Sequence, residues 1–249
     1  MDKTVLITGI SRGLGRGLAD VFISEGYFVY GCSRTGKAFN DNMRHVACDL
    51  SLIADIHNCF ESLLADVHTL DVVILNAGIL GDIKDMSDTS VEELEKMMTT
   101  NVWSNKLILD FLLQSNIKVK QILLMSSGAA VLVNKGWGGY ALSKAALNML
   151  GRLYAHEMPA THISAIAPGL VDTDMMDYLC NEVDGDVFPA LQRLKDAQGT
   201  DTMQTPDVAA RKILEALPAL KNFASGSFVD LRKIFSPDEY DDLMKAAKL

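Results

Sequence analysis

Near the start of the 249-residue chain lies the run Val5-Leu6-Ile7-Thr8-Gly9-Ile10-Ser11-Arg12-Gly13-Leu14-Gly15. Its first three residues predict a short strand, and the apolar spacing after the glycines predicts a helix over about 14–24. Glycines allow a tight turn, and the first turn of a helix offers free N–H groups to a phosphate. We interpret the run as a dinucleotide-phosphate loop, with an unliganded Gly-rich turn as the alternative. Its candidate ligand-binding residues are Gly9, Ser11, Arg12, Gly13, Leu14 and Gly15.

Strand and helix patterns alternate over the rest of the chain. Strands are predicted at 5–7, 27–32, 44–48, 72–75, 121–125, 162–167 and 227–231. Helices are predicted at about 14–24, 52–67, 91–114, 139–156 and 207–217, with a closing helix from Ser236. This alternation predicts an α/β fold with a doubly wound parallel sheet of the Rossmann type. No linker-like segment divides 1–249, so a single domain is expected, with the irregular 172–203 as a substrate lid.

The composition limits the classes of partner. The chain has 23 Lys and Arg against 32 Asp and Glu, a net charge of −9, which argues against nucleic acid or an anionic membrane. Its hydrophobic fraction of 49% excludes disorder as the overall state, and no apolar stretch approaches the roughly 18 residues of a membrane span. The four cysteines form no C-x-x-C pair and the five histidines share no metal spacing, so no metal site is predicted. We expect a reducing, cytoplasmic location.

The end of the second predicted strand indicates which dinucleotide would bind. A site that prefers NAD carries a carboxylate about 20 residues after the glycines. Here the sequence is Gly31-Cys32-Ser33-Arg34-Thr35, without a carboxylate. The planar guanidinium of Arg34 suits a 2′-phosphate, and Arg12 is a second candidate cation. NADP(H) is therefore predicted, with a solvated surface charge as the alternative role of Arg34.

A candidate acid/base pair lies in the 139–156 helix. Tyr140 and Lys144 are four residues apart and share a helix face. A nearby ammonium lowers the pKa of a phenol from about 10, which would make Tyr140 a usable general acid. Ser126 and Ser127 end the preceding strand, and only one of them should face the cleft. A surface pair and a strand-ending turn are the alternatives.

Taken together, the chain resembles the short-chain dehydrogenase/reductase family as far as about Leu231. The motifs, in chain order, are the Gly loop Thr8–Gly15, Asp49-Leu50, Asn76-Ala77-Gly78, Asn101, the set Ser127/Tyr140/Lys144, and Pro168-Gly169. Ser127 lies thirteen residues before Tyr140, as in that family, so it is preferred over Ser126.

The resemblance implies a role for each of these positions. Tyr140 would donate the proton to a carbonyl that Ser127 positions, Lys144 would hold the nicotinamide ribose and lower the Tyr140 pKa, and Asn101 would help hold a relaying water. The implied cofactor contacts are Asp49 and Leu50 at the adenine, Asn76, Ala77 and Gly78 at its ribose, and Pro168, Gly169, Val171 and Thr173 around the nicotinamide, beside Tyr140 and Lys144.

The second half of the chain is similar to the sepiapterin reductases and benzil reductases of that family. The similar segments are 135–140, 167–175 and 225–230. By this resemblance Asp230 would anchor a pterin, and Trp137 and Met175 would be apolar walls near the carbonyl. Alternatively, Asp230 caps a turn or pairs with Arg232, and Trp137 only packs. The implied function is NADPH-dependent reduction of a ketone in an aromatic or vicinal dicarbonyl or in a pterin side chain.

The same sequence features are compatible with two other functions, and they also predict a subunit interface. An NADP-dependent alcohol dehydrogenase working in the oxidative direction would use the same residues. A catalytically idle NADPH-binding regulator is a further alternative, although both Tyr140 and Lys144 are present. The helices over 91–114 and 139–156 carry apolar residues on more than one side, which indicates a subunit interface. In the family these helices build a dimer contact, so a homodimer is expected, with a tetramer left open.

Overall fold

The computed structural model describes residues 3–246, and a seven-stranded sheet lies at its centre. The strands of this sheet are β1 (Lys3–Thr8), β2 (Tyr27–Ser33), β3 (Met43–Ala47), β4 (Thr69–Leu75), β5 (Lys118–Met125), β6 (His162–Ala167) and β9 (Ser227–Asp230). Their order is β3-β2-β1-β4-β5-β6-β9, and every neighbouring pair is parallel. The predicted Rossmann-type doubly wound sheet is therefore confirmed.

Alternate residues of the central strands pack on opposite faces of the sheet. In β1, Val5 and Ile7 belong to one apolar cluster and Leu6 belongs to the other. The same alternation separates Ile74 from Val73 in β4. All five side chains are buried, because helices cover both faces of the sheet.

Ten helices are found among residues 3–246, and five of them form the two outer layers. The helices are α1 (Gly13–Ser24), α2 (Ile56–Leu63), α3 (Val91–Met98), α4 (Ser104–Gln114), α5 (Gly138–Glu157), α6 (Asp174–Asn181), α7 (Gln192–Ala197), α8 (Pro206–Leu220), α9 (Arg232–Phe235) and α10 (Pro237–Ala246). Helices α1 and α8 pack on one face of the sheet through residues such as Phe22 and Ile213. Helices α2, α4 and α5 cover the other face with Phe60, Leu109 and Leu147.

Helix boundaries differ from the sequence prediction in three places. The helix predicted over 52–67 shortens to α2, because Asp49 accepts hydrogen bonds from the backbone N–H and hydroxyl of Ser51 and forms a turn. The long helix predicted over 91–114 contains a π-helical turn, Thr99–Trp103, between α3 and α4. The helix predicted over 207–217 is extended at both ends in α8. It begins at a Thr205 cap, whose Oγ1 accepts the Val208 N–H, and continues past Pro218 to Leu220.

The segment predicted as a lid contains two short helices, α6 and α7, and its ends are joined. Two-residue strands β7 (Leu170–Val171) and β8 (Met203–Gln204) pair in parallel, and Asp172 donates its N–H to the Gln204 carbonyl at 2.8 Å. The segment buries Leu179 and Leu191 in an apolar cluster that also includes Trp137 and Tyr140. The 172–203 segment is therefore a compact insertion that packs beside Tyr140.

Candidate functional site

A cavity of about 600 Å³ lies at the carboxyl ends of the sheet strands. This is the edge at which parallel sheets bind ligands, beside the point where the strand order reverses between β1 and β4. All of the site residues predicted from the sequence line this cavity except Asn101 and Asp230.

The Gly loop makes a tight turn between β1 and α1. Gly9 has a φ of +76°, in the left-handed region that favours glycine. A Cβ on Gly15 would lie 2.1 Å from the Gly9 carbonyl oxygen, so only glycine fits there. The Arg12 side chain does not cap α1, and the first turn of this helix carries no acidic residue. The N–H groups of this turn are therefore free to bind a phosphate, which fits the pyrophosphate of a dinucleotide.

Hydrogen bonds join the carboxyl ends of β1 and β4. Thr8 Oγ1 accepts the backbone N–H groups of Asn76 and Ala77 at 2.9 and 3.0 Å. The Asn76 side-chain amide donates to the Thr8 carbonyl at 2.9 Å. These bonds fix the Asn76-Ala77-Gly78 turn against the Gly loop, along one wall of the cavity.

The two candidate cations for a 2′-phosphate have different partners. Arg34 is exposed at the cavity and makes no hydrogen bond or ion pair with any residue in 3–246. Arg12 instead pairs with Asp174 at the start of α6, with its Nη1 2.5 Å from the carboxylate oxygen. Hydrogen bonds from Ser51 hold the pKa of the Asp49 carboxyl below its usual range, and the nearby Arg34 charge acts in the same direction. Arg34 is thus the cation at this end that is available to a ligand.

Tyr140, Lys144 and Ser127 meet at the wall of the cavity. Tyr140 and Lys144 lie one turn apart on α5 and are 9% and 4% exposed. Ser127 follows β5, its hydroxyl lies beside the Tyr140 phenol, and its Oγ accepts the Ala129 N–H at 3.2 Å. Lys144 Nζ donates to the Met125 carbonyl at 2.7 Å and lies 5.5 Å from the centre of the Tyr140 ring.

Burial controls the protonation of this set. It raises the pKa of Tyr140 to about 12, against the smaller opposing effect of the nearby Ser127 hydroxyl. It lowers the pKa of Lys144 to about 8. Loss of water on burial is the largest influence on the Tyr140 pKa in the protein without cofactor, and the lowering of that pKa by Lys144 stays a prediction. At neutral pH Tyr140 therefore holds its proton.

Asn101 lies in the π-helical turn and is fully buried. Its Oδ1 accepts the Ile79 N–H at 2.8 Å, and its Nδ2 donates to the Ile79 carbonyl and to Ser143 Oγ at 2.8 and 2.9 Å. The Asn101 side chain thus fixes the loop after Gly78 against the helix of Tyr140. Such an inserted residue is common at functional sites.

Asp230 faces a cation of its own chain at the end of β9. The Arg232 backbone N–H, Nε and Nη2 donate to its carboxylate at 3.0, 2.9 and 2.5 Å. Asp230 is 2% exposed and does not line the cavity, whereas Arg232 does. The structure thus shows the pairing with Arg232 that the sequence offered as the alternative to pterin anchoring.

Several residues of the cavity wall were not predicted from the sequence as site residues. They are Asn134 and Leu132 after β5, Arg193 and Leu194 on α7, Arg232 on α9 and Leu243 on α10. Their sequence positions follow no motif, and only tertiary packing brings α7 and α10 to the cavity. The spacing of Arg232 from Asp230 is the one local signal that could have found any of them.

Two features that would change the interpretation of the cavity are missing from residues 3–246. This part of the chain contains no group of three or more His, Cys, Asp or Glu side chains arranged to hold a metal ion. None of its helices has the length and apolar character required to cross a membrane.

Comparison with known proteins places this geometry among enzymes. Residues 3–184 match the family model described as short chain dehydrogenase. The chain is 31% identical over 243 residues to a benzil reductase ((S)-benzoin forming) of Saccharomyces cerevisiae, covering 88% of this chain and 92% of that protein. It is 30% identical over 251 residues to the sepiapterin reductase of Xenopus laevis, covering 90% and 94%. The predicted similarity to both kinds of reductase is confirmed.

Comparison with solved structures finds the same fold in a member of this family. A short-chain dehydrogenase/reductase structure from Saccharomyces cerevisiae, YIR035C, superposes with a TM-score of 0.81 at 23% identity, covering 92% of this chain and 96% of that chain.

Proposed function

Because the chain belongs to the short-chain dehydrogenase family, we propose that it is an NADPH-dependent carbonyl reductase. Its substrate would be a ketone in an aromatic or vicinal dicarbonyl, or in a pterin side chain. The observation that supports this is the buried set of Tyr140, Ser127 and Lys144 on the wall of a cavity that also contains the Gly loop. The relatives named for benzil and sepiapterin reduction support the substrate class.

The residues of the set divide the chemistry between them. Ser127 and Tyr140 would hold the ketone oxygen with their hydroxyl groups, and Tyr140 would give it a proton. Ser127 Oγ accepts a hydrogen bond from the Ala129 N–H. Because Oγ acts as the acceptor in this bond, the hydroxyl hydrogen of Ser127 is free to be donated to the ketone oxygen. Lys144 would hold the nicotinamide ribose and supply positive charge beside the phenol. NADPH, when bound, supplies the hydride.

Arg34 would select NADPH over NADH by binding the 2′-phosphate. Arg34→Asp is expected to lower the ratio of kcat/KM for NADPH to that for NADH by about 10- to 100-fold, since it replaces a charge-assisted hydrogen bond with a repulsion. Lys37→Asp is the matched control, because Lys37 is exposed nearby but does not line the cavity. An unchanged cofactor ratio in Arg34→Asp would remove the proposed role.

Among the substrate classes, the Asp230 contacts favour a dicarbonyl over a pterin. The amino-pyrimidine edge of a pterin would have to displace the Arg232 guanidinium from the Asp230 carboxylate. Trp137 and Met175 line the cavity and would be apolar walls, and 172–203 would close over the substrate as a lid. Gly128 and Ala129 leave room beside Ser127 for a ring or a second carbonyl.

The two alternative functions separate in a single assay. NADPH consumption is measured with a panel of vicinal diketones and with sepiapterin, and the reverse reaction is measured with NADP⁺ and the product alcohols. The proposal expects consumption with at least one dicarbonyl. A protein that binds NADPH and turns over nothing would be the idle regulator, and turnover confined to alcohols would make it a dehydrogenase.

We also propose that the protein works as a homodimer in the cytoplasm. Helices α4 and α5 and the turn before α4 expose large apolar side chains, among them Trp103, Leu142, Met149 and Leu153, each at least 47% accessible. Such a surface indicates a subunit interface. The mass of the chain in solution tests this, because a monomer would contradict it.

A further inference from the structure

Two arginines, Arg193 and Arg232, line the cavity, although the proposed reduction requires neither. Arg232 Nη2 lies 3.9 Å from the position that a Cβ would take on Gly128, the residue after Ser127. Arg193 reaches the same cavity from α7 in the lid segment. The structure thus gathers two cations at one cavity, with Arg232 beside the proposed ketone position, in a chain whose net charge is −9.

Arg232 keeps donors free in spite of its pairing with Asp230. A guanidinium carries five N–H groups, and the Asp230 carboxylate takes one from Nε and one from Nη2. Within residues 3–246 Nη1 makes no hydrogen bond, and its nearest acidic group is Glu239 at 3.9 Å, whose side chain is half exposed. Since the Arg232 side chain is 13% exposed, Asp230 holds its guanidinium in a fixed orientation.

Arg193 lacks even that partner. Within the described part of the chain it forms no ion pair or hydrogen bond, and the residue is exposed. Partial loss of water around its guanidinium and the nearby Arg232 charge lower its pKa. Asp230 and Glu239 are the acidic groups whose charge reaches it. Asp230 is engaged by Arg232 and Glu239 is half exposed, so an anion between the two guanidinium groups would relieve their repulsion.

We propose that Arg193 and Arg232 bind a carboxylate of the substrate, so that the ketone reduced is an aromatic 2-oxo acid. This inference rests on the proposed reductase function and narrows its vicinal dicarbonyl class. The proximity of Arg232 to Gly128 puts the carboxylate next to a carbonyl held by Ser127, and Leu132 and Trp137 offer apolar contacts to the ring. The ketone carbon gains a hydride from NADPH, its oxygen gains a proton from Tyr140, and the product is a 2-hydroxy acid.

The first test compares phenylglyoxylate with its uncharged methyl ester. The native protein is expected to prefer the acid by at least about tenfold in kcat/KM, since a charge-assisted bond contributes about 1.5–3 kcal/mol. Arg193→Gln is expected to lower this preference by about tenfold. Arg211→Gln removes an exposed arginine of α8 outside the cavity and should leave the preference as it is.

A second variant avoids leaving a lone charge behind. Arg232→Met alone would strand the buried Asp230 carboxylate, so it is combined with Asp230→Asn. The double variant is expected to lose the preference for the acid as Arg193→Gln does. A double variant that folds and keeps the native preference would contradict the role of Arg232.

Binding is measured without turnover in Tyr140→Phe loaded with NADPH, by titrating the cofactor fluorescence with each compound. The ratio of the two Kd values should favour the acid, and Arg193→Gln in this background should reduce that ratio. Equal binding and turnover of acid and ester would overturn the inference and leave the reductase proposal standing. NADPH consumption with neither compound nor any diketone would overturn both. If Arg193→Gln weakened NADPH binding but left the ratio of the Kd values for acid and ester unchanged, Arg193 would bind the cofactor and not the substrate. That result would also overturn the inference.

Discussion

Tyr140→Phe is expected to lower kcat for ketone reduction by about 10²- to 10⁴-fold, the usual contribution of a positioned general acid. The phenol is buried against Ser127 and holds its proton through the neutral range, because burial raises its pKa to about 12. Removing one oxygen leaves the ring, which still packs in the apolar cluster of the lid. The fold and the affinity for NADPH should therefore be preserved, and stopped-flow reduction and fluorescence titration would measure the two effects separately.

Tyr154→Phe is the matched control for that experiment. Tyr154 lies on the same helix, is also buried, and its phenol donates to Asp110 and does not line the cavity. Its loss should affect the stability of the protein, with kcat close to the native value. Turnover that survives in Tyr140→Phe at the level of Tyr154→Phe would show that another group delivers the proton.

Lys144→Met is expected to abolish most turnover and at the same time to stabilise the protein without cofactor. The Lys144 ammonium is almost fully buried, and its one hydrogen bond within residues 3–246 is to the Met125 carbonyl. Burial lowers its pKa from 10.5 to about 8, which corresponds to a cost of about 3 kcal/mol for the charged form at neutral pH. Met fills similar space without that cost, so thermal unfolding at pH 7 should occur about 5 °C or more above the native temperature.

The stabilising effect of Lys144→Met should depend on pH in a direction that the Lys144 pKa determines. Between about pH 8 and 10.5 the folded native protein binds fewer protons at Lys144 than the unfolded chain does, so native stability rises with pH over that window. The stability of Lys144→Met does not rise with pH in this way. The stability difference between Lys144→Met and the native protein should therefore be largest below pH 8 and should shrink toward pH 10.5. A variant less stable than the native protein at pH 7 would contradict the cost assigned to the buried ammonium.

Local patterns in the sequence were enough to predict the frame of the site. The Gly loop between β1 and α1 and the Asn76-Ala77-Gly78 turn after β4 depend on short-range chemistry that the residues themselves display. Continuous apolar strands such as β4 indicate a parallel sheet, and its carboxyl edge brings these turns together. The residues that follow from such rules therefore line one cavity in the structure.

Features set by tertiary packing could not be predicted in this way. The π-helical turn at Thr99–Trp103 has no local signature, and it is fixed by contacts of Asn101 with Ile79 and Ser143. Arg193 belongs to a short helix in an irregular segment and reaches the cavity because that segment folds on its own apolar cluster. The raised pKa of Tyr140 depends on burial, which residue spacing does not reveal.

Transfer of deuterium from NADPH that carries deuterium at both C4 positions of the nicotinamide tests whether this cavity performs carbonyl reduction. With an aromatic vicinal dicarbonyl as substrate, mass spectrometry of the product should find one deuterium on the new carbinol carbon for each NADPH consumed. Tyr140→Phe should form the labelled alcohol at a rate lower by about 10²-fold or more. An alcohol without the label, or NADPH that binds and is never consumed, would contradict the assignment of this protein as a reductase.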